Sequence, residues 1–357
     1  MLRSPVFPRQ PLLCGYYGEH NLGDDALLQA LLAQLPAGCD PCITAADQYL
    51  VQQRFGVRSC DRRSLKAVLQ ALDLSDGVVF GGGSLLQDST SFRSLLYYAA
   101  LITAARLQRK PVVLWGQGLG PLRRRRSRAL VRCLLPLVSA ASWRDAASAE
   151  LATALGRPRQ PADGWGCDPV WSLQPQHWRG RHGPIVLCWR PTSLLQSHHW
   201  GLLLNALDGL AARSQREVLW LPFHQGQDVT LLNQLREQGL VPHRLLARSR
   251  QLQASTPEQA MAVFSGAGLV LAMRLHALIL GALAGAPVAA LSYDPKVAAA
   301  AAALSCEQLD LASLPDQASV ISSAWEACLD QPLSAERIAA QQRSALVHQL
   351  LINPQLD

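Results

Sequence analysis

Residues 268–297 read GLVLAMRLHALILGALAGAPVAALSYDPKV, and the fold turns on how this stretch divides. GLVLAM at 268–273 and PVAALSY at 287–293 are almost unbroken apolar runs. A strand with one wet face alternates apolar and polar residues; an unbroken run is a strand covered on both faces. The residues between them read as a helix, apolar beyond its first turn. Strand, helix and strand in that order make one unit of a parallel sheet. Arg274 and His276 stand directly after the first strand, and Lys296 follows the second, where the next helix begins. A guanidinium at such a place is costly unless an anion pairs with it. Two cations and a histidine at neighbouring strand ends therefore read as an anion site. The competing reading pairs Arg274 with a buried carboxylate, makes His276 a core histidine and leaves Lys296 on the surface.

The same rhythm runs outward. IVLCW at 185–189 and EVLWLPF at 217–223 are further buried strands with helices between them. Residues 157–184 interrupt the pattern with Pro158, Pro161, Pro169, Pro175 and Pro184 and with Trp165, Trp171 and Trp178, and read as an inter-domain connection. Nearer the start, strands at 11–16, 77–80, 112–115 and 139–144 alternate with helices. One helix sets Leu27, Leu28, Leu31, Leu32 and Leu35 on a single face, and another runs through 92–108. The expected class is α/β, with two Rossmann-like doubly wound domains facing each other across a cleft. The expected boundaries are 1–165 for the first domain, 166–184 for the linker and 185–357 for the second. Ligands in such sheets bind beyond the carboxyl ends of the strands, so the cleft is the expected site.

Composition narrows the class. With 357 residues, 49% hydrophobic and 17% charged, the chain has material for two cores and is not a disordered protein. Of its 33 cations only Lys66, Lys110 and Lys296 are lysines, so Arg is the default cation. Arg123 to Arg126, with Arg128 and Arg132, form the clearest basic run. It reads as a solvated helix start or as a peripheral contact with an anionic membrane surface. No aromatic residues interleave it and no nucleic-acid module accompanies it, so no nucleic-acid partner is expected. The nine cysteines are scattered; the Cys39–Cys42 pair lacks a second pair at zinc spacing. The expectation is reduced thiols in a cytoplasmic protein with no metal. The first seventeen residues hold no apolar run of signal-peptide length, and 266–293 is too interrupted for a membrane span.

Other turns carry candidate residues. GYYGEHNLGDDALL at 15–28 places Asp24 and Asp25 where a helix starts, already supplying the negative charge that a phosphate would bring. Asp24 either caps that helix or, with Asn21 and Glu19, binds hydroxyls of a neutral substrate and serves as base. FGGGSLLQD at 80–88 and GQGLGP at 116–121 offer Gly82, Gly83 and Gln117 where a ligand, the opposite domain or only a tight turn requires glycine. Arg144 follows SAASW and Arg190 follows IVLCW; each faces the ligand or pairs structurally, Arg144 with Asp145 or Asp168. His198 and His199 read as structural or rim residues, and His224 as the histidine best placed to reach the cleft.

These motifs, in order, resemble the polysaccharide pyruvyl transferases, in particular the bacterial cell-surface-anchoring type. The resemblance is carried by GYYGEHNLGDDALL, FGGGSLLQD, GQGLGPL, SWRDAAS, CDPVW, RLHALILGALAGAP and SYDPKV, and spans residues 13–297. It implies a fold like the GT-B glycosyltransferases, phosphoenolpyruvate as co-substrate with no separate cofactor, and a glycan or lipid-linked sugar acceptor that becomes a pyruvate ketal. On this resemblance Arg274, Leu275 and His276 match the donor-binding element, Lys296 its later basic residue and Arg144 the SxRD-type arginine; either Arg144 or Arg190 supplies a further donor contact. The second domain would then hold the donor and the first the acceptor. Phosphoenolpyruvate carries a phosphate and a carboxylate, both suited to arginine forks. An imidazole changes protonation near neutral pH, so His276 is the candidate general acid or base. Arg274 and Lys296 would stabilise the leaving phosphate, and Asp24 would deprotonate the acceptor from the opposite domain. The alternative within the fold is a nucleotide-sugar glycosyltransferase or epimerase, needing a carboxylate for the ribose; between 229 and 293 only Glu258 sits at an expected helix start. A non-catalytic glycan-binding protein is the alternative outside it.

Overall fold

The computed structural model describes residues 7–89, 91–158, 160 and 163–353. It divides into two units: one holds residues up to Glu19, Leu27–Ser172 and the chain from Gln342 onward, the other His20–Ala26 and Leu173–Gln341. In the first unit the strands are β1 (Pro11–Tyr17), β2 (Cys42–Ala45), β3 (Arg58–Asp61), β4 (Gly77–Phe80), β5 (Val112–Gln117), β6 (Ala140–Trp143) and β7 (Gly164–Trp165). They form one sheet in the order β3-β2-β1-β4-β5-β6-β7. In the second they are β8 (Ile185–Cys188), β9 (Val218–Trp220), β10 (Ser249–Gln251), β11 (Leu269–Ala272), β12 (Val288–Ser292) and β13 (Glu307–Asp310), ordered β10-β9-β8-β11-β12-β13. Every strand pair is parallel. Both orders step outward from the first strand of the unit, then reverse. Each unit is thus doubly wound, with a switch point between its first and fourth strands, β1 and β4 or β8 and β11.

Burial explains the strands that the apolar runs announced. β4, β8, β11 and β12 are buried at every residue. The strands not foreseen are β2, β3, β7, β10 and β13. β3, β10 and β13 carry polar residues that keep part of each strand in solvent. The unit boundaries also differ from the expected ones. Residues 166–172 belong to the first unit, because β7 pairs with β6 and a turn at Pro169–Ser172 packs beneath β5. The last part of helix Ala335–Ile352 returns to the first unit, where the His348 ring bonds Ser142 Oγ (2.8 Å) and the Cys167 carbonyl (2.7 Å). Residues 20–26 group with the second unit rather than the first. Residues 1–6 of the leader reading, and Pro161 of the connection, lie outside the described residues.

The second unit's core fixes the strand ends that matter below. Trp189, directly after β8, is 2% exposed and meets Trp200, Trp220 and Trp325 at centroid separations of 6.0, 5.6 and 6.3 Å. Such aromatic pairs add about 0.5–1.5 kcal/mol each beyond the area they bury. Residue 190 therefore leaves the sheet from a rigid anchor.

Candidate active site

Cys188, the last residue of β8, registers with Ala272, the last of β11. Two residues beyond each comes an arginine, so Arg190 and Arg274 stand side by side at the second unit's switch point. Arg190 donates from Nη1 to the Tyr293 hydroxyl (3.0 Å), from Nη2 to Gln227 Oε1 (3.4 Å) and from Nε to the Pro191 carbonyl (3.3 Å). Its guanidinium also lies 4.9 Å from the Tyr293 ring centre, a cation–π contact. Arg274 donates from Nη2 to the same Gln227 oxygen (3.0 Å). It also forks onto Asp228, with Nη2 to Oδ1 at 2.5 Å and Nε to Oδ2 at 3.1 Å.

Asp228 is the carboxylate that sequence reading missed. Its side chain is fully buried (0% exposed) and also accepts the backbone N–H groups of Phe223 (3.1 Å) and His224 (2.9 Å). One aspartate thus orients Arg274 and shapes the turn after β9. The structural half of the competing reading of Arg274 is correct, since the arginine does have a buried partner. Asp228 offsets only one of the two guanidinium charges, however, so the pair keeps an excess of positive charge. Arg274 Nη1 forms no hydrogen bond among the described residues. Arg274 is also the N-cap of helix Leu275–Leu283 and provides no side-chain cap. The first-turn N–H groups at Leu275 and beyond then add their share of the positive end of a helix. Burial holds the adjacent Cys188 thiol protonated, and the Asp228 charge adds to that effect.

Lys296 reaches the same end of β12. It is half-buried in the first turn of helix Pro295–Leu304, where its N–H bonds the Asp294 cap (2.8 Å), three residues after Tyr293. His276 lies in the first turn of helix Leu275–Leu283, against Gly23; a methyl group on Gly23 would collide with the imidazole at Nδ1. The 20–26 segment is held there by Leu22 N–H to the Phe223 carbonyl (3.0 Å) and Gln225 N–H to the His20 carbonyl (3.1 Å). Asn21 accepts the Gly23 N–H (3.1 Å) and donates to Asp24 Oδ2 (2.5 Å). Asn21 therefore takes the capping role that the sequence left open for Asp24. Asp24 belongs to the unit of His276, which corrects its assignment to the opposite domain.

The first-unit candidates have other employment. Gly81 is covered by the Tyr17 hydroxyl and Gly82 by the Leu27 side chain, so both glycines answer internal packing. Gly82 is buried beneath Leu27, and Gly83 is glycine because its φ is +107°. Gln117 is 1% exposed and donates its amide N–H to the Gly81 carbonyl, tying the ends of β4 and β5. Arg144 is 7% exposed and bonds Ser84 Oγ (2.9 Å) and Asp168 (3.4 Å), with Asp145 at 3.9 Å. It belongs to the first unit, whereas Arg190 shares the second with Arg274. Glu19 is engaged by Arg62 (2.5 Å) and Arg63 (2.8 Å), not left for a hydroxyl. His224 accepts the Gly226 N–H (3.1 Å) at a short helix start, and His199 accepts the Gln196 N–H (3.1 Å). Glu258 lies in the first turn of helix Pro257–Ser265. Among the described residues, no three His, Cys, Asp or Glu side chains group as metal ligands.

Comparison with known proteins extends these observations. Two solved structures share the doubly wound architecture along nearly the whole chain. HepE from Anabaena, solved with UDP and glucose, is 15% identical, with 98% of each chain covered and a TM-score of 0.59. A protein described as a UDP-N-acetylglucosamine 2-epimerase from Listeria monocytogenes is 13% identical, covering 97% of this chain and 94% of its own, at a TM-score of 0.61. MurG from Acinetobacter baumannii follows at 12% identity, 97% and 99% coverage and 0.53. At these identities the likeness establishes the two-Rossmann, GT-B-like fold. No curated protein sequence matches the chain. Membership rests instead on a family model that begins at the Asn21 turn, takes in Arg190, Asp228 and the RLHA helix, and ends at Pro295: over residues 21–295 the chain matches, and belongs to, the polysaccharide pyruvyl transferase family.

Proposed function

We propose that the protein moves the pyruvyl group of phosphoenolpyruvate onto a sugar of a cell-envelope polysaccharide or its precursor, forming a ketal and releasing phosphate. The observation that carries this reading is the Arg190–Arg274 pair sharing Gln227 with, among the described residues, Asp228 alone paired to it. A compact dianionic or trianionic donor suits such a pair, since each guanidinium offers a fork of donors to a phosphate or carboxylate. In this reading Arg190, Arg274 and Lys296 hold the donor's phosphate and carboxylate, with the N–H at Leu275 beside them. A proton delivered to the donor methylene leaves a cationic centre at the carbon bearing phosphate. One acceptor hydroxyl adds there and loses its proton, phosphate departs with the C–O bond electrons to leave an oxocarbenium carbon, and a second hydroxyl bonds to that carbon and gives up its proton to close the ketal. His276 serves as the acid or base for these transfers, with Asp24 and Asn21 on the acceptor hydroxyls. The nine cysteines are all free thiols, which supports a cytoplasmic setting. No helix among the described residues is long and apolar enough to cross a membrane.

Calorimetric titration with phosphoenolpyruvate, wild type beside Arg190→Ala and with UDP as the competing ligand, tests the proposal. Binding of phosphoenolpyruvate that weakens at least tenfold in the variant, without UDP binding, is the expected result. Binding of UDP alone by the folded protein would replace the reading with a nucleotide-sugar one. Failure to bind phosphoenolpyruvate, even with a saccharide acceptor present, would end it.

A further inference from the structure

We infer that helix Arg125–Leu134, together with the outer stripe of helix Phe92–Leu107, is a docking surface for an anionic phospholipid bilayer. The charge distribution is lopsided. Residues 89–144 hold eleven of the chain's 33 Lys and Arg and none of its 26 Asp and Glu, so the remainder of the chain is net acidic. In helix Arg125–Leu134, Ser127, Val131 and Leu134 are buried. At 100° per residue, Arg125, Arg128 and Arg132 fall within one exposed stripe on the opposite side. None of Arg93, Arg123, Arg124, Arg125, Arg128 and Arg132 forms an ion pair among the described residues. The one carboxylate at this helix start, Asp88, is buried and is occupied by the N–H groups of Arg123 and Arg124 (2.8 Å each). Burial alone would raise the Asp88 carboxyl, yet these bonds hold it below its ordinary range. It therefore stays charged, anchors the turn and leaves the guanidinium groups outward.

The neighbouring helix supplies what a lipid surface adds to charge. Arg126 stacks over Phe92, 4.2 Å from the ring centre. Leu96 lies one turn on, and Leu96, Ala100 and Leu107 share one exposed stripe with Arg93. Leu96 is 46% and Leu107 81% exposed. Exposed aliphatic side chains beside unpaired arginines fit a headgroup and acyl-chain boundary. A nucleic acid would reward stacking aromatics instead, and Phe92, the aromatic that meets this run, is already under Arg126.

The test is sedimentation of the full chain with vesicles of phosphatidylcholine alone or mixed with phosphatidylglycerol. The proposal expects binding to the mixed vesicles only, lost near 1 M salt, where screening is complete within a few ångströms. A cation near an anionic leaflet is worth roughly fivefold in partitioning, so the triple variant Arg125→Gln, Arg128→Gln, Arg132→Gln should bind about a hundredfold more weakly. These side chains are exposed, and an unchanged melting curve would show that the variant is folded. Leu96→Ser with Leu107→Ser should weaken binding with the charge intact. Absence of binding to mixed vesicles at low salt, a triple variant that binds as wild type, or tighter retention on double-stranded DNA than on mixed vesicles would each overturn the inference.

Discussion

The two units share one strand order but use their switch points differently. At the first, between β1 and β4, the chain fills the space itself: the Tyr17 hydroxyl covers Gly81 and Leu27 covers Gly82. At the second, between β8 and β11, two arginines emerge with a single carboxylate between them. The contrast extends to strand-end arginines that look alike in sequence. Arg144 is met by Asp168, Ser84 and Asp145; Arg190 is met by a hydroxyl, an amide oxygen, a carbonyl and another cation's neighbourhood. Topology makes both places available to a ligand. Local charge balance differs: at the first, Arg144 is matched by carboxylates, and at the second the paired arginines carry more charge than Asp228 offsets.

The sharpest way to break this contrast is to remove Arg144. Asp168 would stay buried without its cation, a change that costs about 3–5 kcal/mol in comparable settings. Arg144→Ala should therefore shift the urea midpoint strongly while leaving phosphoenolpyruvate affinity within about twofold. A stable variant with weakened donor binding would move Arg144 into the donor site.

The closed end of the first unit should also show in acid. Burial is the main cause that holds the His348 imidazole down at about 4, whereas an unfolded chain has it near 6.5. Above 6.5 the ring is neutral in both states and its contribution is complete. As the pH falls from 6.5 to 4, the unfolded chain binds a proton that the folded one refuses, and stability declines by about 3 kcal/mol from this group. Below 4 both states are protonated and the loss stops growing. Urea midpoints at pH 7.5 and 4.5 should converge in His348→Gln; an unchanged pH slope in that variant would show that other groups dominate.

At the second switch point the signs reverse. Arg190 is half-buried and pairs with no buried carboxylate among the described residues, so Arg190→Ala should cost little stability. Charge-assisted hydrogen bonds are worth about 1.5–3 kcal/mol, so donor affinity should fall roughly 10- to 100-fold. Equal donor affinity in wild type and variant would leave the site to Arg274 and Lys296 alone.

The residues differ in how far they announced these roles. The buried strands, and the cations after β11 and β12, were legible because an unbroken apolar run followed by a charge has few other meanings. The strands β3, β10 and β13 were not, since SRQ or EQLD partly in solvent looks like loop. A glycine signals that something comes close without saying what. At Gly81 and Gly82 the neighbours were the protein's own tyrosine and leucine, whereas at Gly23 the neighbour was a candidate catalytic ring. Asp228 was hidden for another reason: HQGQD is an ordinary polar turn until folding brings Arg274 onto it. Arg144 and Arg190 could not be ranked from sequence, because their difference lies in partners far along the chain.

Gly23 offers the gentlest probe of the second switch point. It lies in the first turn of helix Leu22–Gln34 with ordinary backbone angles, where alanine is favoured over glycine by up to about 1 kcal/mol. That gain opposes the collision of the new methyl with the His276 ring, which can turn aside. Gly23→Ala should therefore melt within about 1 kcal/mol of wild type. Neither Arg190 nor Arg274 touches residue 23, so phosphoenolpyruvate should bind as before. The displaced imidazole should lower kcat about tenfold, which corresponds to about 1.4 kcal/mol on the barrier. Lower donor affinity at unchanged kcat would mean that His276 holds the donor rather than moving a proton. If both are unchanged, the ring's position against Gly23 has no part in turnover, and His276 would stand beside Arg144 as a structural residue at the end of a strand.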